Sequence, residues 1–194
     1  VWNEPNLARE WGGWPPDPDG YVELLRACYV GIKTADPEAL VISAGLAPTG
    51  NGPPGAMPDV EYLIAMYEAG AAPYFDLLGV HAPGFLYPPE ISPREVAEKH
   101  DGYDFFCFRH VETLREIMVQ YGDEHKQVAV LEMGWTTDPV HPDYAWFAVT
   151  PEQQADYLVR AYRYAQEHWS PWVGVMVTLS IADPRWTEQD EQYW

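Results

Sequence analysis

The sequence has few basic residues: 11 lysines and arginines stand against 30 aspartates and glutamates, giving a formal net charge of −19 over 194 residues. A surface of that sign repels phosphate backbones and anionic lipid, which argues against nucleic-acid and membrane-surface partners. Cysteine is scarce too, and Cys28 and Cys107 lie far apart in helical patterns, which predicts two small buried side chains and no bridge. The sequence shows no membrane-length apolar run and no basic, apolar leader, and it leaves compartment and oligomeric state open.

The sequence lacks several motifs that are typical of metal, nucleotide or acyl-transfer sites. The six histidines are scattered, without H-E-x-x-H or closely spaced carboxylates, so we predict no metal site. Neither G-x-G-x-x-G nor G-x-x-x-x-G-K-[ST] follows any predicted strand, so no nucleotide cofactor is expected. No G-x-S-x-G or Cys/His pattern indicates acyl transfer.

Aromatic residues are abundant, with nine tryptophans and thirteen tyrosines. The apolar C–H faces of sugar rings pack on Trp and Tyr, while sugar hydroxyls require carboxylates and amides. An acidic, Trp-rich chain therefore suits a carbohydrate partner, although core packing also uses these residues.

Helix-like and strand-like segments alternate along the chain, which predicts an α/β fold with a parallel sheet. The predicted helices begin at Asp17 or Asp19, Asp59, Asp104 and Thr150, and the predicted strands cover 39–44, 76–81, 126–131 and 172–181. Long Gly/Pro loops follow the strands, whereas the links from helix to strand are short. This asymmetry favours a (β/α)₈ TIM barrel over a doubly wound sheet, because a barrel builds its site from the loops that follow its strands.

Two glutamates occupy similar settings at predicted strand ends. Glu132 closes the apolar run Lys126-Gln127-Val128-Ala129-Val130-Leu131, where a carboxylate is costly unless the strand opens into a polar site. Glu4 follows an extended start, and Pro5 keeps it out of the helical region. A pair of carboxylates is what glycoside hydrolysis requires, one to protonate the leaving oxygen and one to attack or to activate water. The residues alone do not say which glutamate has which role.

The segment Trp2-Asn3-Glu4-Pro5-Asn6 resembles the Asn-Glu-Pro signature after the fourth strand of clan A glycoside hydrolases, which include the cellulase-like family 5 and the xylosidase-like family 39. Leu131-Glu132-Met133-Gly134-Trp135 resembles the nucleophile segment of their seventh strand. The resemblance implies a partial (β/α)₈ barrel, from the end of strand 4 through strand 8. Residues 1–194 would then be the C-terminal half of one catalytic domain, with the N-terminal half expected upstream of Val1 and a final helix past Trp194.

The resemblance also implies an activity and a set of roles. The clan consists of retaining β-glycosidases, so the chain is expected to cleave β-linked oligo- or polysaccharides by double displacement. Glu4 is the expected acid/base and Glu132 the expected nucleophile, with Asn3 donating to the sugar 2-hydroxyl. His81, at the end of the sixth strand, and Trp135 are expected to contact the substrate.

Two departures from the clan pattern leave an alternative open. Where the clan has His-x-Tyr after strand six, this chain has His81-Ala82-Pro83, and Tyr87 is the candidate substitute for the missing tyrosine. Where the clan places a tryptophan under the sugar at strand eight, the chain has Leu179, within Thr178-Leu179-Ser180. A replacement platform could come from Trp135, Trp146 or Trp186. The alternative function is a catalytically impaired carbohydrate-binding barrel.

Overall fold

The computed structural model describes residues 1–179 and 183–194. The helices are α1 (Pro18–Ala35), α2 (Asp59–Glu68), α3 (Pro93–Ala97), α4 (His110–Gln120), α5 (Pro142–Ala145) and α6 (Pro151–Tyr164). The strands are β1 (Leu77–Pro83), β2 (Gln127–Gly134) and β3 (Val173–Thr178), which form a three-stranded sheet in the order β1-β2-β3. Among the described helices, none is long and apolar enough to span a bilayer.

The chain divides into two compact units. The first comprises Val1–His81, Val111–Val130 and Pro171–Val175, and the second comprises Ala82–His110, Leu131–Ser170 and Met176–Trp194. Each strand begins in the first unit and ends in the second.

In the first unit, two segments outside the named strands continue the order of the sheet beyond β1. Residues 41–45 lie beside β1 in parallel, with the Ser43 N–H donating to the Leu77 carbonyl at 3.1 Å. Residues 1–4 run beside 41–45 in the same direction, since Val1 N donates to the Ile42 carbonyl and Glu4 N to the Gly45 carbonyl. The unit therefore has five strand positions in parallel order, as the predicted α/β alternation requires.

The predicted strand over 39–44 is reduced to a single parallel bridge at Ile42. The Val41 N–H donates to the Asp76 carboxylate at 2.7 Å, which occupies a donor that a regular ladder would use. That carboxylate also contacts the Lys33 ammonium at 2.9 Å. A side-chain contact thus replaces the first rung, and the prediction of a regular strand here was wrong.

Helices α1 and α2 pack on each other in the first unit. Asp17, one of the two predicted caps, caps α1 by accepting from the Gly20 N–H at 3.0 Å, and Pro18 occupies the first helical position. Asp59 was expected to cap α2, but Pro58 is the capping residue and Asp59 is the first helical residue. The core of the unit combines aromatic and aliphatic side chains from α1, α2 and α4 with strand residues. Its largest fully buried members include Tyr21, Leu25, Tyr62, Leu63, Met66, Leu78, Leu114 and Met118.

Helices α3 and α4 differ from the predictions. Helix α3 was missed inside the predicted loop 82–101, although Ser92 and Glu95 form a capping box there. Helix α4 begins at His110 and not at Asp104, because the preceding aromatic segment is held in turns: Cys107 N donates to the Phe105 carbonyl and His110 N to the Cys107 carbonyl.

Cys107 and helix α6 agree with the predictions, whereas Cys28 agrees only in part. Cys28 and Cys107 are both free thiols, but Cys28 is half-buried and only Cys107 is buried as predicted; burial raises the pKa of Cys107 to about 12. Helix α6 begins with the predicted capping box, in which Thr150 accepts from the Gln153 N–H and the Gln153 side chain accepts from the Thr150 N–H.

Strand β3 is shorter and more exposed than its apolar sequence suggested. It covers six residues of the predicted 172–181, and Ser180 and Ile181 lie outside the described residues. Val175 and Val177 are 42% and 44% exposed, and Leu179 just beyond the strand is 60% exposed. These three side chains alternate along the chain, so they share one face of the strand.

Candidate active site

Glu4 lies at the end of residues 1–4, where the chain turns away from the sheet. Its N–H donates to the Gly45 carbonyl at 3.0 Å, and its own carbonyl accepts from the Leu7 N–H at 2.9 Å. Glu4 and Trp2 both have positive φ values, 41° and 68°. Non-glycine residues in this left-handed region store backbone strain, and such strain concentrates at functional sites.

The Glu4 carboxylate is held by a histidine that lies 77 residues further along the chain. His81 Nδ1 lies 3.0 Å from Glu4 Oε1, and His81 is only 2% exposed within β1. An ionised carboxylate only accepts hydrogen bonds, so the proton of this contact belongs on Nδ1. Arg9 approaches the other oxygen, Oε2, at 3.4 Å from a solvent-exposed position.

These contacts set the ionisation of Glu4. Burial of the carboxyl group, the largest influence, raises its pKa, but the His81 hydrogen bond and the positive charges of His81 and Arg9 together outweigh it. The net effect is a Glu4 pKa below its usual value. Glu4 therefore favours the carboxylate form around neutral pH.

Two asparagines flank this glutamate in the sequence but have different environments. Asn3 is exposed, which leaves its amide accessible to a ligand. Asn6 is fully buried: it accepts from the Ala47 N–H at 2.9 Å and donates to the carbonyls of Ala47 and Met57 at 2.8 and 3.0 Å. Asn6 thus anchors the turn after Glu4 to the loop that follows residues 41–45. The sequence predicts no role for Asn6, although its place in Asn-Glu-Pro-Asn is a signal that could have identified one.

Glu132 belongs to the second unit, near the carboxyl end of β2. It is the sixth of the eight residues of the strand and is half-buried. Its neighbours in sequence are fixed by the sheet, since Met133 O accepts from Leu179 N at 3.0 Å and Gly134 O accepts from Gly84 N at 2.9 Å. Upstream, Val128, Ala129 and Val130 are fully buried, as the apolar run predicted. The carboxylate is thus the last ionisable group of an otherwise apolar strand.

Trp135 does not provide an open surface for a sugar. It is 4% exposed, its indole N–H donates to the Tyr87 carbonyl at 2.8 Å, and its ring packs against Phe108 and Tyr157 at centroid distances of 6.0 and 5.5 Å. A Cβ added at Gly84 would lie 1.9 Å from this ring. The expectation that Trp135 contacts substrate is therefore corrected: the residue fixes the loop after β2 to the interior of its unit.

The other aromatic candidates differ in accessibility. The hydroxyl of Tyr87 is bonded to His100 Nε2 at 2.9 Å. Trp146 is 51% exposed and packs edge-on against Phe106 and Phe147, and Trp186 is half-buried. Trp146 is consequently the most open aromatic face among the three tryptophans named as possible sugar platforms.

Comparison with solved structures shows a likeness to glycosidases. A glucosidase from Croceicoccus marinus matches 84% of the chain at 18% identity with a TM-score of 0.53. A family 51 α-L-arabinofuranosidase from Bifidobacterium longum matches 85% at 12% identity with a TM-score of 0.54. The likeness shows the fold alone. The chain spans about a third of the length of these structures, 28% of the glucosidase and 34% of the arabinofuranosidase. The sequence matches no family profile and no curated protein.

Proposed function

We propose that residues 1–194 form the C-terminal half of a (β/α)₈ barrel, from the end of strand 4 through strand 8. The first unit supplies five parallel strand positions in sequence order, where a complete barrel has eight. In this assignment residues 1–4 end strand 4, residues 41–45 are strand 5, and β1, β2 and β3 are strands 6, 7 and 8. Glu4 and Glu132 then both belong to the carboxyl ends of their strands, the end at which barrel enzymes place their active sites.

We propose further that the complete barrel is a retaining β-glycoside hydrolase. The observation that carries this proposal is the Glu4 carboxylate, which buried His81 holds at a strand end. Three strand positions further along the chain, β2 carries Glu132 near its carboxyl end. A buried histidine 3.0 Å from a half-buried carboxylate, at a point of backbone strain, is an arrangement typical of a reaction site.

In the proposed reaction Glu132 attacks the anomeric carbon while Glu4, in the protonated form that becomes populated as pH falls toward its lowered pKa, gives its proton to the departing glycosidic oxygen. The C–O bond to the leaving group breaks as the bond to Glu132 forms, leaving a glycosyl-enzyme. Glu4, now ionised, takes a proton from water, which attacks the same carbon and releases Glu132. This double displacement requires the two carboxyl groups to lie about 5–5.5 Å apart. The exposed amide of Asn3 would donate to the sugar 2-hydroxyl, a contact that strengthens in the transition state.

The proposed substrate is a β-linked oligo- or polysaccharide. Trp146 supplies the most open ring face of the candidate tryptophans, and a sugar stacked there would gain up to about 1.5 kcal/mol beyond its buried area. Leu179, in the place where clan A enzymes carry a tryptophan, cannot offer such a face. We therefore expect the sugar to stack on a different surface from the strand-eight tryptophan that clan A enzymes use.

The proposal is tested with aryl and alkyl β-glycosides on the full-length protein. Glu132→Gln should abolish turnover of both substrate types, because no nucleophile remains. Glu4→Gln should slow alkyl glycosides by about 10²–10⁴-fold and aryl glycosides with good leaving groups far less, since only the poor leaving groups need a proton. Glu38→Gln, an exposed carboxylate outside the site, is the matched control. Equal losses of turnover on both substrate types would show that Glu4 is not the general acid.

Leu179 and the sequence His81-Ala82-Pro83 favour a second candidate, a carbohydrate-binding barrel that has lost catalysis. Calorimetry with β-linked oligosaccharides separates the two functions. Binding by the folded wild-type protein, without turnover of any aryl β-glycoside, would establish the binding function in place of the enzyme.

A further inference from the structure

Gly45 touches both parts of the Glu4–His81 pair. Its carbonyl accepts the Glu4 N–H at 3.0 Å, which fixes the backbone from which the carboxylate projects. Its Cα faces the His81 ring so closely that an added Cβ would lie 2.2 Å from both Cδ2 and Nε2. Real Cβ atoms essentially never approach other heavy atoms within 3.0 Å, so no side chain fits here unless the ring moves.

The ring has little room to move away. His81 is 2% exposed, and its Cδ2–Nε2 edge faces Gly45 while Nδ1 reaches Glu4 Oε1. A Cβ on residue 45 would therefore press on one edge of the imidazole and displace the nitrogen that holds the carboxylate. Gly45 has an ordinary φ, so the requirement for glycine comes from the close approach of the ring and not from the backbone.

We propose that Gly45 is a positioning residue: it has no side chain so that the His81 imidazole can lie against the strand end and hold the Glu4 carboxylate. The charged groups that face Glu4 within the first unit are His81 on β1 and Arg9 on the following turn, with Glu10 in turn 3.3 Å from Arg9. His81 is the buried one of these two partners, so its hydrogen bond is screened least by solvent. The importance of this positioning for catalysis rests on the proposed function; the positioning itself does not.

The test follows the side-chain carboxyl carbon of Glu4 by NMR during a pH titration of the isotopically labelled chain. In the wild type this carbon should titrate below the range of exposed glutamates, because His81 and Arg9 stabilise the carboxylate. Gly45→Ala should move the Glu4 pKa upward. Gly52→Ala, in the same loop but with open space around the added methyl group, is the matched control and should leave it unchanged.

Two histidine variants test whether His81 transmits the effect of Gly45→Ala to the Glu4 carboxylate. His81→Leu removes the donor and should raise the Glu4 pKa, whereas His81→Asn keeps an N–H near the Nδ1 position and should restore most of the wild-type value. If Gly45→Ala does not fold, Gly45→Ala/His81→Ala should fold, because the second change removes the ring that the methyl group strikes. A folded Gly45→Ala with a wild-type Glu4 titration, or a double variant that remains unfolded, would overturn the proposal. Since none of these measurements needs turnover, an inactive protein would refute the proposed enzyme and leave this test intact.

Discussion

Gly84→Ala is expected to be among the most damaging single-methyl substitutions in the second unit. The added Cβ would lie 1.9 Å from Trp135 Cε2 and 2.2 Å from Cζ2 and Nε1. An ordinary contact begins near 3.4 Å, so the indole would have to retreat by about 1.5 Å. Phe108 and Tyr157 pack against the same ring, and Trp135 is 4% exposed, so this movement disturbs a filled interior.

The expected cost comes from two contributions. Overpacking of a filled core typically costs about 1–3 kcal/mol, and the direct overlap with a ring puts this site at the upper end. Withdrawal of the indole also breaks its 2.8 Å hydrogen bond to the Tyr87 carbonyl, a loss of about 1 kcal/mol. We expect a total of about 4 kcal/mol, which for a chain of this size lowers the melting temperature by about 8–16 °C.

Urea unfolding followed by tryptophan fluorescence measures this loss. Gly31→Ala is the control: it lies exposed within α1 with no atom near the added methyl group, and it should gain about 0.5–1 kcal/mol from helix propensity. In a Trp135→Leu background most of the Gly84→Ala cost should vanish, because the ring that causes the clash is absent. Costs that simply add in the double variant, or a Gly84→Ala protein as stable as Gly31→Ala, would refute the reasoning.

Three further predictions concern association and pH. Val177→Lys should reduce self-association in sedimentation experiments, because it places a charge on the exposed apolar face of β3, which within residues 1–179 and 183–194 pairs with β2 alone. His141→Ala should destabilise the second unit most between about pH 4 and 6.5. Burial acts to raise the Asp138 pKa, but hydrogen bonds from His141 and Val140 outweigh it and lower the pKa from 3.8, while the hydrogen bond to Asp138 raises the His141 pKa from 6.5. The stability that the pair contributes therefore fades below the folded Asp138 pKa and above the folded His141 pKa; an equal loss at all pH values would refute it. The kcat/KM of the proposed enzyme should fall as pH rises above about 4.5, because a general acid must carry its proton and the Glu4 pKa is lowered from 4.5. An optimum near neutral pH would argue against Glu4 as the acid.

Local signals in the sequence predicted the elements that local chemistry determines. The cap at Asp17, the capping box at Thr150 and the buried run before Glu132 all lie within a few residues of the structure they specify. Helix α3 carried an equally clear signal in Ser92 and Glu95 and was missed because the surrounding prolines suggested a loop. The signal for α3 was therefore present in the sequence, and the neighbouring prolines masked it.

Local sequence patterns could not predict the contacts that define the candidate site. The Glu4–His81 bond spans 77 residues, and Gly45 touches both ends of it, so each depends on how strands pair in space. The prediction of a regular strand over 39–44 was wrong for the same reason. The Val41 N–H donates to the side chain of Asp76, which lies in another segment of the chain. Trp135 was read as a sugar contact from its place beside Glu132, yet tertiary packing turns its ring inward.

The central claim, that Glu132 is the nucleophile of a retaining β-glycosidase, has a direct test. An activated 2-deoxy-2-fluoro β-glycoside reacts with such a nucleophile but slows hydrolysis of the resulting ester, because fluorine destabilises the oxocarbenium-like transition state. Mass spectrometry of the digested full-length protein should then show one added fluorosugar on the peptide that contains Glu132, and none in Glu132→Gln. A turning-over protein that carries the sugar on another residue, or that releases product of inverted configuration, would contradict the account.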